Sequence, residues 1–364
     1  MRRALLLAVA LGCRAAAPPP AMTVQRTPLA VAGALVAAVE QAGTLYLFAP
    51  ERATIERGGA LIARIPAPDG AWAEAGIMPA LDEPGSWVVA RTAKGSLWRI
   101  TTTGELEPIH DLLGLAPEVR ALGAAGGTLG LALDGGVAVL RDPAHVERFA
   151  IAAARAEGGE VSAAHDRLAI RRGPVIDVWD LAAHRHATLT VPGALAAGFA
   201  SADGRGRLVV ATAGALFLEA PGADPAGALH RLAAPAELRR LAIAGARIWI
   251  ATAGGVFVVD GDHLTRAGVE AAATDRVLGL ASGDVLLGTP SSLTRLALAR
   301  PADDPRWAAE VAPIYQRVCA RCHAPGGDAG LDLSTAAAWR HERTELRHRV
   351  VESRTMPPAG TPMS

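Results

Sequence analysis

The chain has 364 residues, 51% of them apolar and only 4% aromatic, and its 36 basic and 36 acidic side chains cancel to a formal net charge of zero. That length exceeds one ordinary core and suits two domains, while the balanced charge excludes the basic footprint of a nucleic-acid partner. Lys94 is the single lysine, so basic charge is almost all arginine; with the alanine excess this is a composition bias and carries no function.

The first element is MRRALLLAVALGC. Arg2 and Arg3 form a basic start and residues 4–11 a short apolar run, too short to span a bilayer. This resembles a bacterial export signal. Ala10-Leu11-Gly12-Cys13 resembles a lipoprotein cleavage box, with alanine where that family usually has leucine. The resemblance implies that Cys13 is acylated and tethers the protein to a bacterial membrane on its periplasmic or cell-surface side. Ala15 to Ala17 offers an ordinary signal peptidase an alternative, with Pro18 unfavourable directly behind it. Pro18 to Pro20 begin a stiff spacer. Residues 1–22 are thus read as signal, anchor and linker.

From about residue 43 to 300 the chain repeats an apolar run, a tight turn and a second apolar run. WVVARTAKGSLWRI at 87–100, LVVATAGALFLEA at 208–220 and IWIATAGGVFVVDG at 248–261 are clear copies. Gly95, Gly135, Gly173, Gly214, Gly254 and Ser291 mark six turns spaced about forty residues apart, the period of a propeller blade. A weaker copy near residue 54 supplies a seventh. The runs are rich in Val, Ile, Leu, Trp and Phe, which favour strands, and many are apolar at consecutive positions, as strands sandwiched between neighbouring blades require. Residues 23–300 are therefore read as a mainly β, seven-bladed (six to eight) β-propeller. Val178-Trp179-Asp180 looks like the WD dipeptide, so the array is WD40-like or YVTN-like. Gly214 and Gly254 are expected to supply the permissive turn backbone. His184 and His186 alternate on one strand and read as surface side chains before metal ligands.

Composition changes after Leu298. Residues 299–307 are polar, hold two prolines and read as a linker, with Asp304 and Pro305 starting a helix. Helical spacing places Val311, Ile314 and Val318 on one face, and Pro313 kinks or restarts the helix. At its end stands Cys319-Ala320-Arg321-Cys322-His323. C-x-x-C-H is the attachment motif of c-type haem. Residues three apart share a helix face, so two thiols can reach both vinyl groups of one porphyrin, and the adjacent imidazole lies under the iron. A zinc site needs four ligands and only one C-x-x-C exists; a thioredoxin-like dithiol needs a βαβ context that the sequence lacks.

VAPIYQRVCARCHAPGGDAGLDLSTAAAW at 311–339, with Met356-Pro357-Pro358 downstream, resembles a bacterial monohaem c-type cytochrome. The resemblance implies a small all-α domain over 301–364 carrying one covalent haem c. Cys319 and Cys322 would hold it, His323 would be the proximal iron ligand and Met356 the distal one. Met363, His341 and His348 are the rivals for the distal place. Tyr315, Trp307, Trp339 and Leu331 would pack the haem. The family continues past its M-P-P loop into a final helix, whereas this sequence ends at Ser364.

The leading expectation is an extracytoplasmic electron-transfer protein, an electron carrier rather than a catalyst. Its propeller would dock a redox protein partner or hold a ligand that the sequence does not name. Two alternatives stand beside it. One is a quinoprotein-like propeller dehydrogenase that passes electrons to its own haem; the other is a surface-anchored interaction protein with an impaired haem domain.

Overall fold

A computed structural model describes residues 24–29, 34–79, 86–109, 113–114, 119–125, 128–133, 136–142, 145–150, 159–164, 166–200, 206–220, 229–260, 263–272, 275–289, 291–298, 307–323, 333–342, 346–352 and 355–356. Cys13 and the rest of the leader lie outside them. The chain divides into two compact units, Met1–Arg295 and Leu296–Ser364.

The first unit is a seven-bladed β-propeller, each blade a four-stranded antiparallel sheet. Blade one runs outward as Ala37–Gln41, Thr44–Ala49, Arg52–Arg57 and Ala60–Pro66. The inner strands of the next six blades are Trp72–Pro79, Val119–Ala125, Glu160–Ala164, Ala194–Ala200, Leu238–Ala244 and Arg276–Gly279. These first strands lie against one another all round the ring, and that of blade seven returns to that of blade one. Blade seven supplies three strands of its own and takes its outermost from the start of the domain. Val24–Leu29 pairs with Leu293–Leu298. This closure fastens the first blade to the last through backbone hydrogen bonds and covers a sheet edge.

Burial follows position in the blade. The second strands Thr44–Ala49 and Arg247–Thr252 are buried at nearly every residue, whereas the outermost strand of blade five, Leu229–Ala233, is mostly exposed. Consecutive apolar residues mark strands covered on both faces. Apolar layers fill the seams between blades: Met78, Val89 and Leu97 of blade two pack with Leu122, Leu129 and Leu131 of blade three. At Gly123 the blades come so close that a Cβ would fall 1.8 Å from the Val161 carbonyl oxygen, so only glycine fits there.

Polar clamps cross the same seams. Arg167 of blade four makes a buried two-pronged ion pair with Glu219 of blade five and donates Nη1 to the Gly206 carbonyl at 2.9 Å; Glu219 Oε2 also accepts the Leu208 N–H at 2.9 Å. Arg295 joins blade seven to blade one, with Nε 2.9 Å from Asp284 Oδ2 and Nη2 2.9 Å from Glu40 Oε1. Trp249 Nε1 of blade six donates to the Gly283 carbonyl of blade seven at 3.1 Å.

One expectation about the turns is corrected. Gly214 and Gly254 have no left-handed backbone; in the blade-six turn it is Gly255 that carries φ +115°. The strained residue of that turn is the one that enters the third strand. The marker glycines Gly95 and Gly173 do have positive φ, 90° and 57°.

The second unit contains a helical segment over 307–323. Wide π turns, Trp307–Val311 and Tyr315–Cys319, alternate with α turns, Ala312–Ile314 and Ala320–His323. Shorter helices follow at Ala336–His341 and Arg347–Glu352. The winding changes at Pro313, and it also corrects the expected buried face. Ile314 is 48% exposed, and Trp307, Tyr315 and Leu333 form the buried centre, with Val311, Ala312, Cys319 and Ala320 partly buried around it. A π turn, bonded i→i+5, brings residues four to five apart onto one face, so 307, 311, 315 and 319 align where spacing of 3.6 selects Ile314.

Candidate functional site

The thiol–imidazole motif sits where this helical segment ends. Cys319 closes the second π turn, and Cys322 and His323 lie in the α turn that follows. Cys319 is half-buried against the aromatic centre and forms no disulfide. Burial pushes its thiol above the ordinary range, so at neutral pH it is a neutral thiol in apolar surroundings rather than a reactive thiolate.

Two hydrogen bonds hold the peptide of His323. Its carbonyl accepts the Tyr315 hydroxyl at 3.1 Å and the Leu333 N–H at 2.9 Å. Trp339 Nε1 donates to the Leu333 carbonyl at 2.8 Å, and the Thr335 side chain caps the next helix by accepting the Ala338 N–H at 3.2 Å. The Trp307 ring lies 6.1 Å from Tyr315 and 5.6 Å from Trp339, both tilted. Cys319 therefore stands against a small aromatic platform in which the Tyr315 hydroxyl and the Trp339 indole N–H are turned to backbone partners. Met356 is half-buried in the same unit, and its N–H donates to the Arg349 carbonyl at 3.1 Å.

Of the residues expected to matter, Trp307, Tyr315, Cys319, Cys322 and His323 share one helical segment, and Trp339 packs against its aromatic rings from the next helix. Leu331, Met363 and the prolines of the M-P-P run lie outside the described residues, as do the side chains of Cys322, His341 and His348. Leu333 is the apolar residue that sequence reading passed over. It is 1% exposed, and the amphipathic spacing that flags a helix is silent for a single leucine between helices. The donor set fits a c-type haem: two cysteines three residues apart, an imidazole beside them and a thioether later in the same unit.

The propeller's histidines take a different part. His186 stacks on Trp179 at 4.6 Å and places Nε2 3.1 Å from Oδ1 of the buried Asp177, which also accepts the Thr188 hydroxyl at 2.7 Å and pairs with Arg172. His184 sits in the preceding turn with φ +50°. Among the described residues no group of three or more His, Cys, Asp or Glu is placed to hold a metal ion. None of the described helices is long and apolar enough to cross a membrane.

No family model matches the chain, and no curated protein matches it in sequence. Solved structures do resemble it. A streptogramin B lyase superposes with TM-score 0.54 at 11% identity, over 76% of this chain and 98% of that one. YCF48 from Cyanidioschyzon merolae gives TM-score 0.53 at 14% identity, over 75% and 98%. PorZ, a surface component of the type-IX secretion system of Porphyromonas gingivalis, gives 0.52 at 15%, over 77% of this chain and 40% of that one. At such identities the likeness speaks for the fold alone: the larger part of this chain is a seven-bladed β-propeller of the kind these proteins share.

Proposed function

We propose that the C-terminal unit carries one covalently attached c-type haem and that the protein is an extracytoplasmic electron carrier. In this reading it is held to a membrane surface by a lipid on Cys13, and the propeller is the docking or ligand-binding module. The observation that carries the proposal is that Cys319, Cys322 and His323 end one helical segment, with Cys319 packed against a centre formed by Trp307, Tyr315 and Leu333 beside Trp339.

Cys319 and Cys322 would hold the porphyrin by thioether bonds, and His323 and Met356 would be the iron's protein ligands. When bound, the haem supplies reversible one-electron chemistry. The chain's part is positional. The Tyr315 hydroxyl and the Leu333 N–H anchor the His323 carbonyl, which fixes the backbone from which the imidazole projects. The aromatic centre partly covers Cys319, whose neutral thiol would supply one of the two thioether bonds.

The test is maturation of the full-length chain, signal included, in a bacterium with periplasmic c-haem assembly. Haem that stays on the polypeptide through denaturing electrophoresis and acidified acetone is expected. Cys319→Ala and Cys322→Ala should each reduce covalent attachment, and their double variant should abolish it. Colourless mature protein, or pigment extracted by acid acetone, would overturn the proposal. Reduction of the haem by a small-molecule substrate alone would favour a propeller dehydrogenase instead.

A further inference from the structure

The rim of blade one carries an exposed apolar pair. Its outermost strand, Ala60–Pro66, has a sheet partner on one side only and leaves its other backbone edge open. Ile55 pairs with Ala63 and Glu56 with Leu61, so Ile62 is an extra residue and the strand bulges there. Leu61 is 49% and Ile62 47% exposed, and among the described residues no other two large apolar side chains this open are neighbours in the chain.

Alternation along the strands decides which way this hairpin looks. Ala53, Ile55, Ala63 and Ile65 pack into the layer between blades one and two. Arg52, Glu56, Leu61 and Arg64 take the other face, toward blade seven, where Glu56 pairs with Leu61. Glu56 is buried there, whereas Arg52 and Arg64 are exposed, so the charge these two strands present beside the apolar pair is positive. The adjoining rim of blade seven is the strand Val24–Leu29, mostly exposed and carrying Arg26 and no acid. Its last residue, Leu29, packs with the layer that holds Leu45 and Leu47 of blade one. The ten residues 14–23 separate this strand from Cys13, and fully extended they span at most about 35 Å.

We propose that this sector of the rim rests on an anionic lipid surface, with Leu61 and Ile62 in the interface and the guanidinium groups of Arg52 and Arg64 at headgroup phosphates. The proposal rests on the lipid tether at Cys13 for its setting. A tether there enters the propeller at the outermost strand of blade seven, so the rim of blades seven and one is the part it holds near the bilayer. Apolar side chains gain by leaving water for the headgroup region, and each arginine beside an anionic surface adds attraction. The pair is too small for a stable protein interface. A tethered protein meets its membrane at high effective concentration, so a contact of this size suffices to orient it.

Co-sedimentation with vesicles tests this, using the full chain with Cys13→Ser so that no acyl chain contributes. Binding to phosphatidylcholine vesicles that contain phosphatidylglycerol is expected to be at least about ten-fold tighter than to phosphatidylcholine alone. Leu61→Ser/Ile62→Ser should weaken binding to the mixed vesicles about ten-fold, and Arg64→Glu at least about five-fold. Leu195→Ser, at a comparably exposed leucine of blade five, should leave it unchanged. The leader is the same in all these chains and cancels between them. Equal binding to both vesicle types, unchanged binding in folded Leu61→Ser/Ile62→Ser or Arg64→Glu, or an equal loss in Leu195→Ser would each overturn the proposal. So would a dimer of the parent chain that Leu61→Ser/Ile62→Ser dissociates in sedimentation velocity, since it assigns the face to a second copy. Acylation is read separately from the mass of the unsubstituted mature chain: an unmodified Cys13 would overturn the tether by itself, and the vesicles would still decide the hairpin.

Discussion

The propeller and the helical unit are stabilised in opposite ways. In the propeller, six of the seven seams repeat an apolar layer among the described residues, and clamps such as Arg167–Glu219 and Arg295–Glu40 add polar bonds across particular seams. The described part of the helical unit gathers only Trp307, Tyr315 and Leu333 into a buried centre, with half-buried alanines and Cys319 around them. A repeated sheet supplies its own neighbours, so its core grows with every blade. A small helical unit has a small core of its own, and domains of that size gain most from a further group that adds to it. The contrast is what makes a covalent porphyrin physically reasonable at the second unit and unnecessary at the first.

The sharpest way to break this comparison is to remove the group from one unit and watch the other. Cys319→Ala/Cys322→Ala protein, matured as above, should lose the protection of helical amides in 307–352 against hydrogen exchange while the propeller strands keep theirs. Equal protection with and without haem would show that the helical unit is self-sufficient. Within the propeller, the largest loss should come from Arg167→Met. It leaves Glu219 buried without its cation and should destabilise by about 3–5 kcal/mol in chemical denaturation. Adding Glu219→Leu should recover most of that, and failure to recover would mean that the clamp acts through packing instead.

Gly123→Ala comes next. Its new methyl meets the Val161 carbonyl oxygen, and forcing blades three and four apart should cost about 3 kcal/mol. Glu56 tests a smaller effect. Burial raises its carboxyl pKa above the ordinary value, so its contribution favours the fold below the ordinary carboxyl range and is lost as pH rises through the raised value. Glu56→Gln should therefore raise the melting temperature at neutral pH and leave it nearly unchanged near about pH 4. Smallest of all, Gly214→Ala meets no atom within 4 Å and should stabilise by about 0.4–1 kcal/mol through the unfolded chain.

Much of the architecture was legible because it repeats. Short apolar runs about forty residues apart announce blades, and seven were countable from the turns, the weak copy near residue 54 proving to be the third strand of blade one, Arg52–Arg57. The helical unit was legible as a helix that changes at Pro313 and ends at the C-x-x-C-H run. Its buried face was misread at Ile314 because spacing arguments assume 3.6 residues per turn, and Leu333 carries no periodic signal at all. The turns at Gly95, Gly173, Gly214 and Gly254 were located correctly, while Gly135 lies outside the described residues and the residue with the left-handed backbone in blade six was not foreseen.

The sequence by itself determined the kind of fold and located the C-x-x-C-H motif on which the haem proposal rests, because period, strand-forming residues and thiol spacing are local properties that survive in one dimension. Only the tertiary structure decided how the ring closes, with Val24–Leu29 completing the blade that ends some 270 residues later. It alone decided that Leu29 packs with the layer of Leu45 and Leu47 in blade one and that Arg167 meets Glu219 across a seam. The physical reason is the same in each case. Blade neighbours are set by closure of the whole ring, so which side chains meet between blades depends on distances that no local pattern encodes.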